Sequence, residues 1–166
     1  MPCEKLLEFL DENGVSYEMT EHPEAFTAQE IADRAHISGK QFAKTVMVKL
    51  DDKMAMAVLP AANKVNFNLL RQAAGAETVE LATEEEFKNH FPDCDLGAMP
   101  PFGTLYGMEV YVAGSLSEVD QIAFNAGTHT ELIKMDYRDF ERLVQPAIAR
   151  FSFHVPKDFR EEEDHR

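Results

Sequence analysis

Lys44-Thr-Val-Met-Val-Lys-Leu50, then Asp51-Asp52, then Lys53-Met-Ala-Met-Ala-Val-Leu-Pro60 is the stretch on which the fold turns. Two apolar, partly β-branched runs with a short acidic break between them read as consecutive strands. Asp51-Asp52 is then a hairpin turn without the usual glycine. The second run is apolar on both faces, which is the pattern of a central strand.

Working outward toward the N-terminus, Leu6, Leu7 and Leu10 form a short helical stripe that Gly14 ends, and Val15 to His22 reads as a strand. Thr27-Ala28-Gln29-Glu30 has the form of a capping box, so a second helix is expected from near Thr27. Toward the C-terminus, a helix is expected over Phe67 to Ala74, ended by Gly75, followed by a short strand from Thr78 to Leu81. Thr83 and Glu86 make another capping box, opening a helix that stops before Pro92. A Gly- and Pro-rich loop spans 93–104, and Leu105 to Ala113 returns to strand. Gln121–Asn125 and Glu131–Met135 pair across Ala126-Gly127-Thr128-His129, and Tyr137, Phe140 and Val144 mark a closing helix. Several strands follow one another directly, which favours an α+β fold with a mixed or antiparallel sheet over a doubly wound parallel one.

The chain has 166 residues, which suits a single domain, expected over 1–150 with a polar extension at 151–166. With 45% hydrophobic and 28% charged residues it falls in the ordinary globular range, and no run is apolar enough to span a bilayer. The opening MPCEKLLEFLDENG carries acids inside its apolar pattern, unlike an export signal, so a cytoplasmic location is expected. The net charge of −14 argues against an extended nucleic-acid surface and against DNA as a partner. Part of that charge lies in Glu84-Glu85-Glu86 and Glu161-Glu162-Glu163-Asp164. Cys3 and Cys94 stand in unrelated contexts with no CxxC pair, so they read as free thiols, with no zinc site expected.

Three places could carry chemistry. Lys44 shares a strand face with Val46, Val48 and Leu50, so it stands at the rim of the core. There it either holds an anion or snorkels to water. Gly97-Ala-Met99-Pro100-Pro101-Phe102-Gly103 joins two glycines to two prolines. Such a stiff segment either aims backbone N–H groups at a reacting oxygen or is a structural turn. His129 follows a Gly127-Thr128 turn, and either lines a pocket mouth or caps the core. A conventional nucleophile is missing: there is no G-x-S-x-G elbow, and Cys94 lies between Asp93 and Asp95, which raises its pKa. No phosphate loop, dinucleotide fingerprint or H-E-x-x-H occurs, and the six histidines lack metal-ligand spacing. An enzyme built this way activates water, with neither a covalent intermediate nor a metal or other cofactor.

Lys44-Thr45-Val46 opening a strand, the Gly97–Gly103 segment, Gly114-Ser-Leu and Asn125-Ala-Gly127-Thr-His129 occur in an order that resembles the YbaK/prolyl-tRNA-synthetase-associated editing family. The resemblance covers about residues 3–146. It implies a mixed, partly barrel-like sheet flanked by helices, and deacylation of a mischarged tRNA by a free-standing protein. The partner would be the tRNA 3′ aminoacyl end, with an aminoacyl-tRNA synthetase as a further possible partner. Lys44 would anchor the terminal nucleotide, and the backbone from Gly97 to Pro101 would hold the ester carbonyl and the water. Thr27, Met99, Pro100, Phe102, Gly103 and His129 would contact substrate. This chain has Gly114 where many relatives show an Asp, and His129 stands at a position that varies in the family. Two other readings remain: a binding module that holds the same end without cleaving it, and an esterase for a small metabolite.

Overall fold

A computed structural model describes residues 3–22, 32 and 37–154. Among these residues the helices are α1 (Glu4–Glu12), α2 (Phe67–Ala74), α3 (Glu84–Phe87) and α4 (Tyr137–Val144). The strands are β1 (Tyr17–Glu21), β2 (Ala43–Leu50), β3 (Lys53–Pro60), β4 (Asn63–Val65) and β5 (Val79–Leu81). They continue as β6 (Glu109–Ala113), β7 (Gln121–Asn125), β8 (Glu131–Asp136), β9 (Ala147–Ala149) and β10 (Ser152–His154).

β2 and β3 form the expected antiparallel hairpin, in register from Ala43–Pro60 to Leu50–Lys53. Asp51 supplies the left-handed conformation that glycine would normally provide, at φ 59°. Its carboxylate accepts the amides of Glu77 and Thr78, both at 3.0 Å, and this holds the turn. The hairpin is buried on both sides. Met47, Met56 and Val58 join the larger core, while Val46, Val48, Ala57 and Leu59 join a second cluster beneath Leu70 and Phe151. Fully burying one such side chain stabilises the fold by roughly 1.5–3 kcal/mol, so the hairpin anchors both layers.

The main sheet has the order β5-β2-β3-β6-β9. It is mixed: β2 is antiparallel to its neighbours, while β3–β6 and β6–β9 are parallel. β1-β8-β7 form a second, antiparallel sheet, and β4 pairs with β10. A bridge between Phe42 and Ala123 joins the two larger sheets just before β2 begins. The assembly thus wraps partly round on itself, with β5 and β9 left as the edges of the main sheet.

Several expectations need correction. Leu105 and Tyr106 belong to a 3-10 turn, Gly103–Tyr106, which Gly107 ends in the left-handed region, so the strand starts only at Glu109. β4, β9 and β10 were not anticipated; at three residues each they are too short for alternation to show. Residues 151–154 belong to the fold rather than to an extension, because Phe151 is fully buried and Ser152–His154 pairs with β4. The helix expected near Thr27, Thr27 itself and most of the C-terminal extension lie outside the described residues.

Candidate active site

The turn between β7 and β8 clips the Gly97 segment in place. Gly127 accepts the Asp95 amide at 2.8 Å and donates to the Ala98 carbonyl at 3.0 Å. The Nε2 atom of His129 lies 2.9 Å from the Leu96 carbonyl oxygen. A carbonyl only accepts, so this contact places the ring proton on Nε2. Gly127 is required twice over: its φ is 100°, and a Cβ there would lie 2.9 Å from the Cβ of Cys3. Gly97 also sits at positive φ, 86°. Its amide donates to the Met99 thioether at 3.2 Å. Sulfur of that kind is a weak acceptor, so a stronger one can displace it.

This clamp forms one wall of a cavity of about 460 Å³, where Leu96, Gly97, Met99 and His129 face Thr45 and Met47 of β2. The rest of the wall is Leu81, Ala82, Thr83, Glu84 and Phe87. The lining is mainly apolar, with Thr45, Thr83, Glu84 and His129 as its polar groups, and the volume is that of a small-ligand site. A larger depression of about 630 Å³ lies elsewhere, lined by charged groups such as Lys49, Lys53, Asp52 and Glu109. It contains none of the residues singled out from the sequence, so the smaller cavity is the better candidate.

A sequence profile described as "Aminoacyl-tRNA editing domain" matches residues 22–143. The chain belongs to the aminoacyl-tRNA editing domain family. Over 153 residues it is 24% identical to the Multifunctional Ser/Thr-tRNA deacylase ProXp-y of Escherichia coli (strain K12), covering 89% of this chain and 91% of that one. It is 24% identical over 109 residues to the proline–tRNA ligase of Bacillus cereus (strain G9842), covering 66% of this chain but 19% of the ligase. A crystal structure described as that of a candidate trans-editing enzyme for prolyl tRNA synthetase superposes with a TM-score of 0.79. That match covers 91% of this chain and 96% of the other at 18% identity, which speaks for the fold.

Of the residues singled out from the sequence, this editing domain brings Gly97, Met99 and His129 together at the cavity. Pro100 and Pro101 are buried and stiffen the segment behind it. Phe102 does not line the cavity. It is fully buried and packs its ring against Phe9, Phe124 and Phe140, so its place is in the core. Gly103 is likewise a packing residue, since a Cβ there would come within 2.6 Å of the Met108 carbonyl oxygen. Lys44 is the second residue of β2 and is 92% buried, at 8% exposure. Its register partner is Leu59, so alternation puts it on the face opposite Thr45 and Met47. Thr45 and Met47 were legible from that same alternation once the cavity side of β2 was known.

The α3 side of the cavity is pinned by Glu86. One carboxylate oxygen accepts the Thr83 amide at 2.8 Å, completing the expected capping box, and the other takes the Lys49 ammonium at 2.6 Å. The hydrogen bond from Lys49, then the Thr83 amide, hold the Glu86 carboxyl down at about 2. Thr83, Glu84 and Phe87 of the cavity wall are thus tied to β2. Among the described residues, helices are all too short and polar to cross a membrane.

The two cysteines are not in unrelated places. Cys3 Sγ, Cys94 Sγ and an Asp93 carboxylate oxygen all lie within 4.8 Å of one another. Cys3 Sγ is 3.1 Å from Asp93 Oδ2, and the Tyr106 hydroxyl lies 3.4 Å from Cys3 Sγ and 3.5 Å from Cys94 Sγ. The Cys94 thiol is pushed up as the sequence suggested, though chiefly by Cys3 and by burial, with Asp93 a lesser cause. The Cys3 thiol is held down to about 7, mainly by the hydrogen bond from Cys94.

Proposed function

We propose that this editing domain hydrolyses the ester linking a wrongly attached amino acid to the 3′-terminal ribose of a tRNA, in the cytoplasm and acting in trans, by attack of water. The observation that carries the reading is the clamped Gly97 amide on the wall of a small, mostly apolar cavity. Ester hydrolysis develops negative charge on the carbonyl oxygen, and a fixed backbone donor is what stabilises it. Here the donor gives up only a weak bond to Met99 sulfur when the oxyanion forms. The donor and its partners are held before substrate arrives, so little reorganisation accompanies the reaction. The name of the Escherichia coli relative, a Ser/Thr-tRNA deacylase, supports the same chemistry.

Lys44 lies on the face of β2 opposite the cavity wall, so it serves as the cation for the terminal phosphate from the strand's start beside the sheet junction, away from the ester carbonyl. His129 holds the segment through the Leu96 carbonyl and works by positioning. The cavity closes around the amino-acid side chain, and one methylene more or less changes binding by only about 1–3 kcal/mol. Glu84 on the wall and a net charge of −14 repel the tRNA body, so contact is confined to the single-stranded 3′ end.

The deciding experiment is deacylation of a panel of mischarged tRNAs and of a short aminoacylated mimic of the 3′ end, with and without chelator, across salt. Hydrolysis of at least one tRNA, unchanged by chelator, is expected. With about −0.7 in log–log slope per neutralised phosphate, contact through Lys44 and one or two other cations gives a slope of roughly −1 to −2. A steep slope with an inert mimic overturns end-only recognition. Tight binding of the mimic without cleavage points to a binding module. Cleavage of small esters that tRNA does not inhibit points to a metabolite esterase.

A further inference from the structure

We propose that Cys3 and Cys94 form an oxidisable dithiol, which a hydroperoxide converts to an intramolecular disulfide joining the start of α1 to the Gly97 segment. The argument rests on placement. Residues ninety-one apart in sequence bring their sulfurs within 4.8 Å, and both sulfurs touch the Tyr106 hydroxyl. Their environments differ in a way that divides the labour. Cys3 is the fixed partner: it is 1% exposed, its amide donates to Ala126 at 2.8 Å, and it packs against Gly127. Cys94 is half-buried in an irregular stretch and lines an open polar depression with Pro92, Asp93 and Asp95. A small oxidant therefore reaches the outer sulfur first, while the inner one waits behind it.

Cys3 carries the thiolate near neutral pH, because the hydrogen bond from Cys94 holds its thiol down to about 7 while Cys3 and burial push the Cys94 thiol up. The charge rests on Cys3, so the Cys94 proton passes to Cys3 Sγ as the Cys94 sulfur attacks a peroxide oxygen; the O–O bond breaks and hydroxide leaves, giving a sulfenic acid at Cys94 and a thiol at Cys3. Cys3 gives its proton to that hydroxide, and its sulfur attacks the Cys94 sulfur. The S–S bond forms as the S–O bond breaks, and the departing hydroxide takes up the remaining proton. Two thiols and hydrogen peroxide become one disulfide and two waters, with two electrons passing from sulfur to oxygen. Two thiols and one carboxylate fall short of the four ligands of a structural zinc site, which favours the dithiol over a metal.

The test treats the purified protein with hydrogen peroxide and reads intact mass, a non-reducing peptide map and the thermal midpoint. The expected result is the loss of two hydrogens, a Cys3–Cys94 linked peptide, a raised thermal midpoint and full reversal by dithiothreitol. Cys94→Ser and Cys3→Ser should each lose the linked peptide and the thermal shift. Oxidation that stops at sulfinic acid, a disulfide only between molecules, or zinc retained at one per chain with both thiols protected overturns the proposal. None of these readouts uses deacylation, so the proposal stands or falls apart from the catalytic reading.

Discussion

His129 Nε2 and the Leu96 carbonyl oxygen, 33 residues apart, meet at 2.9 Å and so fasten the β7–β8 turn to the segment that carries Gly97. A neutral hydrogen bond of this kind is worth about 0.5–1.5 kcal/mol, so its loss changes a rate by up to roughly tenfold. His129→Ala is expected to slow deacylation by several-fold with kcat bearing most of the change, and to lower the thermal midpoint by roughly 2–4 °C per kcal/mol lost. Single-turnover kinetics on one mischarged tRNA checks this, and a wild-type rate removes His129 from the clamp's function.

Gly97→Ala probes the backbone itself. The new Cβ meets His129 Cε1 at 3.5 Å, an ordinary contact, so the strain comes from φ 86° rather than from crowding. A left-handed conformation disfavours an L side chain by roughly 1–2 kcal/mol. Relief of that strain turns the amide away from the cavity. Losing one oxyanion donor lowers kcat by about a hundred- to a thousandfold, and a fall of that order is expected in a variant that still folds by circular dichroism. Retention of more than a tenth of the rate argues against the donor role.

Acid should loosen α3. Glu86 titrates at about 2 in the fold against an ordinary value of 4.5, chiefly because of Lys49. A lowered folded value means that its contribution is complete above about pH 4.5, fades as the pH falls toward 2, and is absent below. The pair is exposed, so the effect is modest and weakens in salt. Urea midpoints of wild type and Glu86→Gln, which keeps a capping acceptor, are expected to differ at neutral pH and to converge under acid. A gap that stays constant with pH assigns it to something other than the ion pair.

Lys44→Ala is expected to cut deacylation by about ten- to a hundredfold, the equivalent of roughly 1.5–3 kcal/mol for a hydrogen bond to a charged group. KM should bear most of the change on whole tRNA, and the salt slope should become shallower. Unchanged kinetics from a folded variant would mean that this buried lysine serves the sheet junction alone.

The hairpin of β2 and β3 was legible because period-two alternation and its failure on β3 are local signals. So was the Thr83–Glu86 box, since a cap is written in four residues. The Gly97 and His129 pair was legible as two separate candidates. Their contact was not, because it depends on Gly127 of the β7–β8 turn bonding both Asp95 and Ala98 of the loop. Phe102 misled for the same reason: a phenylalanine inside a Gly-Pro segment looks like a pocket wall until the three rings around it are placed. The cysteines are free thiols as expected, but their proximity was not legible, because sequence says nothing about whether residues ninety-one apart meet in space.

The parallel pairing of β3 with β6 has a consequence for how the molecule comes to exist. The β2–β3 hairpin involves neighbours and can close within about 1–10 μs, whereas Ala55 must find Glu109 after the whole intervening chain has been laid down. The Gly97 segment and α3 lie inside that long crossover, and His129 arrives later still. Non-local pairing of this kind is slow. A chain growing from the ribosome therefore acquires its scaffold early and its cavity late, with the last wall residue made only once β7 is complete. The same order run backwards predicts that mild denaturant silences the site while the hairpin still stands, so that competence to cleave is the first property lost and the last regained.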